Sequence, residues 1–417
     1  MSIRERLCPQ EQEQELSVLV RHCSDARYVW NLALEQRSLW VRGRMRKITT
    51  NSQMIDLADT RKVTWLKEGS SAIQQQVLRD LDRAFWNWWK RPDHFGRPTW
   101  RKKDINEGFA VRDLSVRRIN RKWGQVFIPK CGWVKFRVTR QWCDIEHASS
   151  ARVTKDRSGR WFVSFTYRAP QIERESTGEI VGLDMGVVHT ATMSTGEFLD
   201  MPELLSKSEA QHKRRLQRRL ARQVKGSNRR NQTKLAIAKL SAKESDRRKD
   251  WIEKTTTELV RNYDLIVLED LKVKNMTRSA KGTVDNPGKN VAQKRGLNRS
   301  ILAQGWGVFR QRLTDKANGA TTPVQIIFVN PAYTSMRCSE CGHTEPKNRK
   351  NQADFCRLAC GYTDNADVNA AKNTIAAGLA VTERGGQSHA KPDEAKHGPT
   401  KAKHSDPVKR TTNPKAA

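Results

Sequence analysis

Long apolar runs are absent from this 417-residue chain. A membrane-spanning helix needs about 18 or more consecutive apolar residues, and no segment reaches that length. The N-terminus, MSIRERLCPQEQEQE, also lacks the apolar stretch of a secretory signal peptide. No internal repeat is evident. These absences predict a cytoplasmic protein without a membrane partner.

Cysteine is sparse as well. Of the eight cysteines, Cys8, Cys23, Cys131 and Cys143 are scattered along the chain, and the other four form two close pairs. A disulfide-stabilised secreted domain would need a denser pattern. The spacing therefore predicts reduced thiols.

Acidic residues are outnumbered by basic ones. The chain has 78 Lys and Arg against 45 Asp and Glu, which gives a formal net charge of +33 and a pI of about 10.2. Such an excess favours a polyanionic partner, because each contact with a phosphate releases bound counterions. Polynucleotide is the first partner to consider, and the chain length predicts about two or three domains.

The first third of the chain has helical periodicity. Apolar residues recur at three- and four-residue steps from about 11 to 40 and from about 71 to 90, which predicts an amphipathic helix pair and a further helix. Trp86, Trp88 and Trp89 then lead into the basic stretch KRPDHFGRPTWRKK. These side chains suit stacking of bases and binding of phosphates. The alternative is that the tryptophans belong to the core and the basic residues to a solvated face.

From about 108 to 170 the apolar period changes to two. The segment ARVTKDRSGRWFVSFTYRA alternates apolar and polar residues around a turn at Asp156 to Gly159, which predicts a β-hairpin. Several short strands in succession predict a small barrel of the kind that binds oligonucleotides, although a flat sheet has the same period.

Three acidic residues lie far apart at the ends of apolar elements. Asp184 ends the strand IVGLD, Glu269 ends DLIVLE, and Asp367 directly precedes the Ala-rich helix VNAAKNTIAAG. Carboxylates on two strand ends and on a helix against the sheet can hold two Mg²⁺ ions at a phosphodiester. As a set they indicate a nuclease site, whereas each acid alone is more often an ordinary strand-end or helix-cap carboxylate. Asp270 and Asp364, which are close by, illustrate that alternative.

A long basic helical stretch is predicted from about 204 to 262. Its segment KRRLQRRLARQ, residues 213–223, has six Lys or Arg among eleven positions, with Leu216 and Leu220 one turn apart. A narrow apolar stripe on a cationic helix suits packing against a sheet while contacting phosphates, and a solvated surface helix is the alternative.

Two cysteine pairs occur in CSECGHTEPKNRKNQADFCRLACG. Four thiolates at this spacing predict a closed tetrahedral site for one structural Zn²⁺. The second pair is C-x₃-C instead of C-x₂-C, which loosens its turn, and an unmetallated ribbon is the alternative. The predicted zinc ligands are Cys338, Cys341, Cys356 and Cys360.

The remaining segment, 385–417, is rich in Pro, Lys, His and Ala with almost no large apolar residues, which predicts a disordered basic tail.

Several of these segments together resemble a known family. GLDMGVVHTATMSTGE, IVLEDLKVKNM, NRSILAQGWGVFRQRL, NPAYTSMRCSECG and DVNAAKN resemble the TnpB (OrfB-type) proteins of bacterial insertion sequences, which are similar to type V CRISPR effectors. PQEQEQELSVLVRHCSDARYVWNLAL and QQVLRDLDRAFWNWWK extend the resemblance to roughly residues 1 to 380.

The resemblance implies a fold class, namely α/β plus a β-barrel and a helical insertion. An RNase H-like (RuvC) nuclease domain with an inserted zinc ribbon would follow a wedge β-barrel that carries a helical recognition domain. The implied boundaries are 1–10 and 108–172 for the barrel, 11–107 for the recognition insertion, 173–333 and 362–384 for the nuclease and 334–361 for the ribbon.

The resemblance also implies partners and an activity. A monomer or weak dimer would bind a guide RNA from the transposon end and cut double-stranded DNA beside a short transposon-associated motif in the bacterial cytoplasm, which supports maintenance of the insertion sequence. Asp184, Glu269 and Asp367 would bind two Mg²⁺ ions for catalysis, and the four paired cysteines one structural Zn²⁺. Ala303 and Met336 depart from the family pattern, where an acid and a Gln are common, but leave the acidic trio intact.

Two other functional classes are weaker. An RNA-guided repressor without cleavage activity would be expected to lack one of the three acids, and all three are present. A strand-transferring transposase fits an acidic trio, but the cysteine ribbon does not favour it.

Overall fold

The computed structural model describes residues 2–8, 13–39, 47–167, 171–349, 351, 353–357 and 360–383. The segment predicted to be a disordered tail lies outside the described residues. Among the helices that are described, none combines the length and the apolar character that crossing a membrane requires.

The N-terminal half combines a sheet with helices that follow its first strand. In chain order its described elements are β1 (Ser2–Leu7), α1 (Glu13–Leu39), α2 (Thr50–Val63), α3 (Ser71–Lys90), β2 (Glu107–Val111), β3 (Val116–Arg118), β4 (Trp123–Ile128), β5 (Gly132–Arg137), α4 (Trp142–Glu146), β6 (Ser150–Lys155) and β7 (Trp161–Thr166).

These strands form one antiparallel sheet in the order β2-β6-β7-β1-β5-β4-β3. The first strand of the chain therefore lies inside the sheet, between β7 and β5, and the helices α1 to α3 interrupt the sheet in sequence. The hairpin predicted at Asp156 to Gly159 is confirmed, since β6 and β7 pair on either side of it. In the described strands the hydrogen-bonding order has two ends, β2 and β3, so the strand pairing does not close as it would in the predicted barrel; the alternative from the sequence was a flat sheet.

The helices differ from the prediction in one place. Residues 13–39 form a single helix, not a pair, because no Gly or Pro interrupts the segment and its apolar stripe continues to Leu34. Helix α3 has the predicted bounds, and the side chain of Ser70 accepts a hydrogen bond from the N–H of Ile73 as an N-cap. The buried faces of α1 and α3 share one core with the sheet.

The C-terminal half contains a second sheet with helices on both faces. Its described elements are β8 (Ile180–Asp184), β9 (Ala191–Met193), β10 (Phe198–Leu199), α5 (Lys207–Arg222), α6 (Asn228–Asn262), β11 (Leu265–Glu269), α7 (Val273–Met276), α8 (Val291–Gln304), α9 (Trp306–Asn318), β12 (Gln325–Val329), β13 (Asp354–Cys356), β14 (Thr363–Asn365) and α10 (Ala366–Glu383).

Five of these strands form a mixed sheet in the order β10-β9-β8-β11-β12. Strands β8, β11 and β12 are parallel, while β9 and β10 are antiparallel hairpin strands. The basic stretch after β10 is two helices, not one, because the chain turns between α5 and α6 at Gly226, which has a left-handed φ of 90°. Helices α6 and α9 cover one face of the sheet and α10 covers the other.

Candidate active site

Asp184 and Glu269 lie side by side at the carboxyl ends of two adjacent inner strands of the mixed sheet. Strands β8 and β11 are parallel, and their register pairs Leu183 with Leu268, so the next residue on each strand is the predicted acid. Leu183 and Leu268 belong to the core under α6 and α9. Because side chains alternate between faces, Asp184 and Glu269 both project to the opposite face, which α10 covers.

Helix α10 lies directly on these strands because glycine occurs at two points of contact. A Cβ atom on Gly182 of β8 would lie 2.3 Å from the carbonyl oxygen of Ala371, and one on Gly378 of the helix would lie 2.6 Å from a methyl carbon of Val267. Asp367 is one helical turn before Ala371, in the first turn of α10. The close packing therefore places Asp367 beside the end of β8.

Asp184 experiences the negative charges of both other acids. Burial, then the negative charges of Glu269 and Asp367, raise the pKa of Asp184 to about 7, and Arg349 partly opposes the shift. Burial also raises the pKa of Glu269, against a hydrogen bond from Thr334 that lowers it. Like charges that interact in this way favour a bound cation, because the cation removes the repulsion between them.

Two side chains that the sequence did not single out hold these acids. Thr334 donates from Oγ1 to Glu269 Oε1 at 2.6 Å, and Arg349 donates from Nη2 to Asp367 Oδ1 at 3.0 Å. Both belong to the segment between β12 and α10. Thr334 lies in the family-like segment NPAYTSMRCSECG, but the resemblance gave it no role, and nothing in the local sequence marks Arg349. Only the folded chain shows which acid each side chain contacts.

The two neighbouring acids have structural partners instead. Asp270 pairs with Lys272 and Arg310, which lower its pKa. Asp364 accepts hydrogen bonds from Lys372 and from the hydroxyl of Tyr362. The alternative of an ordinary structural carboxylate thus describes these two acids. Asp184 instead interacts with Glu269 and Asp367, although the ligand oxygens of the three do not all lie within 4.8 Å of one another.

The cysteine cluster contains three of the four predicted ligands. The Sγ atoms of Cys338, Cys341 and Cys360 all lie within 4.8 Å of one another, and Cys338 and Cys360 are 3.9 Å apart. Two thiolates on a tetrahedral Zn²⁺ are about 3.8 Å apart, given Zn–S bonds of about 2.3 Å, so these three fit zinc. Cys356, which is also among the described residues, does not belong to the group.

The pKa of the Cys341 thiol is lowered. A backbone hydrogen bond from His343 is the main cause that lowers the pKa of Cys341 to about 7, and the neighbouring thiols and the side chain of Arg357 lower it further. A thiolate therefore forms at neutral pH, as a metal ligand requires.

Helix α10 is hydrogen-bonded to the segment that leads into the ribbon, residues 334–339, and holds it beside the acidic site. Asn369 donates to the carbonyl of Arg337 at 2.8 Å and accepts from the N–H of Ser339 at 3.0 Å. One turn later, Asn373 donates to the carbonyls of Thr334 and Arg337 at 2.9 and 2.7 Å. The same helix thus carries Asp367 and positions the segment that bears Thr334.

A cationic surface lies on α5 and the start of α6. Five exposed arginines line a cleft of about 510 Å³ there, and none of them forms an ion pair with another described residue. Only Leu216 of α5 is buried, as the narrow apolar stripe predicted. The arginines are Arg215, Arg218, Arg219, Arg222 and Arg229.

The three tryptophans of α3 divide between core and surface. Trp88 packs against the core, whereas Trp86 and Trp89 are 53% and 64% exposed. Large exposed aromatic side chains next to a basic segment are available for stacking with bases.

Comparisons with known proteins place this chain among transposon-associated and CRISPR-associated sequences. Residues 163–280 match the protein family OrfB_IS605, described as "Probable transposase", and residues 306–374 match the family described as "Cas12f1-like, TNB domain". An Escherichia coli (strain K12) protein named "Putative RNA-guided DNA endonuclease InsQ" is 38% identical over 334 residues, which are 79% of this chain and 80% of that protein.

A Streptomyces pristinaespiralis protein of the same description, without the name InsQ, is 30% identical over 90% of this chain and 88% of its own length. Among solved structures, that of a Cas12f1-sgRNA-target DNA complex aligns with a TM-score of 0.55 at 15% identity and covers 87% of this chain and 82% of that one. At this identity the likeness concerns the fold alone.

Proposed function

Because the chain belongs to the TnpB-type family, whose members are relatives of the type V CRISPR effectors, we propose that it is an RNA-guided endonuclease that cleaves double-stranded DNA beside a short transposon-associated motif. The observation that supports the proposal is that Asp184 and Glu269 end adjacent parallel strands, under the first turn of the helix that carries Asp367. Burial, and then the charges of Glu269 and Asp367, raise the pKa of Asp184. The names of the relatives agree with it.

The sheet supports an RNase H-like nuclease domain. Its order, β10-β9-β8-β11-β12, joins an antiparallel three-strand meander to two parallel strands. Asp184 ends β8 and Glu269 ends β11, and Asp367 lies in the first turn of α10, which packs across these strands. In this proposal the mixed sheet and α10 form the RuvC-like domain, β1 to β7 the wedge domain and α1 to α3 the recognition insertion.

The residues around the three acids would have distinct roles in hydrolysis. Asp184, Glu269 and Asp367 would hold two Mg²⁺ ions, whose chemistry is the activation of water and the stabilisation of the leaving 3′ oxygen. Asp184, whose pKa is raised by burial and then by the other two charges, would have to be ionised to act as a ligand. Thr334 fixes the orientation of Glu269, and Arg349 holds Asp367 in the first turn of its helix.

Guide RNA and target DNA would bind the cationic surfaces. The five arginines on α5 and α6 and the exposed Trp86 and Trp89 supply positive charge and stacking area. Base pairing between guide and target strand would read the sequence, while the protein contacts the backbone and a short duplex motif.

The test uses the full chain co-expressed with its transposon-end RNA and purified as a complex. The complex is incubated with Mg²⁺ and plasmids that carry the guide-matched target beside randomised flanking bases, and cut plasmids are sequenced. We expect cleavage next to one short motif, and no cleavage by Asp184→Ala.

Asp270→Asn is the matched control, because it removes a neighbouring acid that is already paired with Arg310. It should retain cleavage. Binding of the matched target without cleavage by the wild-type complex would instead identify an RNA-guided repressor.

A further inference from the structure

A closed tetrahedral zinc site has four ligand positions, and this chain departs from that arrangement at the fourth position of the cysteine cluster. Cys356 ends β13, where Phe355 is 1% exposed and packs with Cys338. Because side chains alternate along an extended chain, Cys356 projects away from Cys338 and the next residue, Arg357, projects toward it. Arg357 continues the hairpin, since its N–H donates to the carbonyl of Tyr362 at 2.8 Å.

The side chain of Arg357 is inside the ribbon. It is only 11% exposed, and its Nη1 donates to Glu345 Oε2 at 2.8 Å and to Asn348 Oδ1 at 3.3 Å. It also interacts with the thiol of Cys341. Its Nε is buried without a hydrogen-bond partner among the described residues. The guanidinium therefore lies between the thiol cluster and the loop of Glu345.

We propose that the side chain of Arg357 occupies the space of the fourth ligand, where Cys356 would be needed. The ribbon then binds Zn²⁺ through three thiolates, weakly and exchangeably. A guanidinium has no lone pair to offer a metal and stays protonated at any physiological pH. Its charge also repels a divalent ion. A structural zinc site is closed by four protein ligands, and three leave an open position. The Arg357–Glu345 pair joins the two loops that a fourth ligand would otherwise link through the metal.

The first test asks whether Cys356 is a ligand. Full-length protein is loaded with Zn²⁺, titrated with a chromophoric chelator, and the zinc released is measured. Cys356→Ser should release zinc at the same chelator concentration as the wild type, and Cys341→Ser should retain none. A marked loss of zinc in Cys356→Ser alone would overturn the proposal.

The second test moves the thiol into the cluster. The double variant Cys356→Arg, Arg357→Cys should hold zinc at least about tenfold more tightly than the wild type, since even outer-shell changes alter metal affinity by 10–100-fold. With Co²⁺ in place of Zn²⁺, its sulfur-to-metal charge-transfer band should increase from three-thiolate to four-thiolate intensity.

If the folded double variant bound zinc with the same affinity as the wild type, the assignment of the fourth ligand position to Arg357 would be contradicted. If the swap does not fold, Arg357→Gln decides instead, because removing the guanidinium charge should tighten zinc binding and a weaker site would contradict the proposal. All of these readouts are metal binding, so they are independent of whether the chain cleaves DNA.

Discussion

Thr334 and Glu269 are joined by a 2.6 Å hydrogen bond from the threonine hydroxyl to the carboxylate, although 65 residues separate them in sequence. Thr334 is 8% exposed, and its carbonyl accepts a hydrogen bond from Asn373 of α10. One residue thus connects a strand-end acid, the entrance of the ribbon and the helix that carries Asp367. The ribbon is therefore part of the support of the acidic site.

This support predicts a specific effect of removing the hydroxyl. Thr334→Ala should raise the Mg²⁺ concentration needed for half-maximal cleavage by about 10- to 100-fold, as loss of an outer-shell partner typically does. Target binding should be unchanged, and Thr334→Ser should behave as the wild type. An unaltered Mg²⁺ midpoint in the alanine variant would show that the hydrogen bond does not position Glu269.

The raised pKa of Asp184 predicts how activity depends on pH. Protons compete with the metal for a carboxyl whose pKa is about 7 in the metal-free protein, so at limiting Mg²⁺ the cleavage rate should rise steeply from pH 6 to pH 8. Saturating Mg²⁺ should move the midpoint to lower pH. Rates that show the same midpoint at both metal concentrations would contradict this coupling.

The same shift predicts a pH-dependent stability. A carboxyl with a folded pKa above its unfolded value stabilises the fold at low pH, and this contribution is lost as the pH rises through about 4 to 7. Asp184→Asn should therefore increase the free energy of unfolding of the metal-free protein at pH 8 by roughly 2–4 kcal/mol, and by much less at pH 5. Urea denaturation at both values measures this, and a gain that does not depend on pH would count against ionisation as its cause.

The close packing of α10 predicts that Gly182 tolerates no side chain. In Gly182→Ala the new methyl group would meet a backbone oxygen at 2.3 Å, so α10 must move, at a cost of about 1–3 kcal/mol in stability and with loss of cleavage.

Gly307→Ala is the control for this change. The added Cβ meets no atom within 4 Å, and in the first turn of α9 alanine should be neutral or stabilise by at most about 1 kcal/mol. Thermal unfolding separates the two variants, and equal effects would show that the space above β8 is not limiting.

The arginines of α5 predict the salt dependence of RNA binding. Arg218→Gln with Arg222→Gln should weaken binding and reduce the slope of log affinity against log salt by about one for each lost phosphate contact. The control is Lys62→Gln with Lys254→Gln, which removes the same charge from lysines that already pair with Asp59 and Asp250. Equal slopes in both double variants would rule out a specific role for the cleft.

Much of the mixed sheet could be predicted because its strands are short, apolar and bounded by acids or glycines. Asp184 and Glu269 end their strands as expected, and Asp367 lies in the first turn of α10, where Asn365 accepts hydrogen bonds from the N–H groups of Asp367 and Val368. Period and composition suffice for these features because they are local in sequence.

Other features depend on contacts between distant residues. Periodicity did not distinguish one α1 helix from two, because a helix pair and a continuous helix have the same spacing of apolar residues. The sequence assigned no role to Thr334, although it lies in the family-like segment NPAYTSMRCSECG, or to Arg349. Their contacts with the acids follow from the path of the chain between β12 and α10. The spacing of Cys356 signalled a looser turn, but only the direction of the strand shows that Arg357 faces the cluster.

The most direct measurement is a structure of the protein–RNA complex with Mn²⁺ in place of Mg²⁺, recorded with anomalous scattering at the manganese edge. We predict two peaks about 3.5–4 Å apart, between the carboxylates of Asp184, Glu269 and Asp367. Both peaks should be lost in Asp184→Asn and kept in Asp270→Asn. Peaks elsewhere, or none near these three carboxylates at saturating Mn²⁺, would contradict a shared metal site and with it the assignment of this chain as a metal-dependent nuclease.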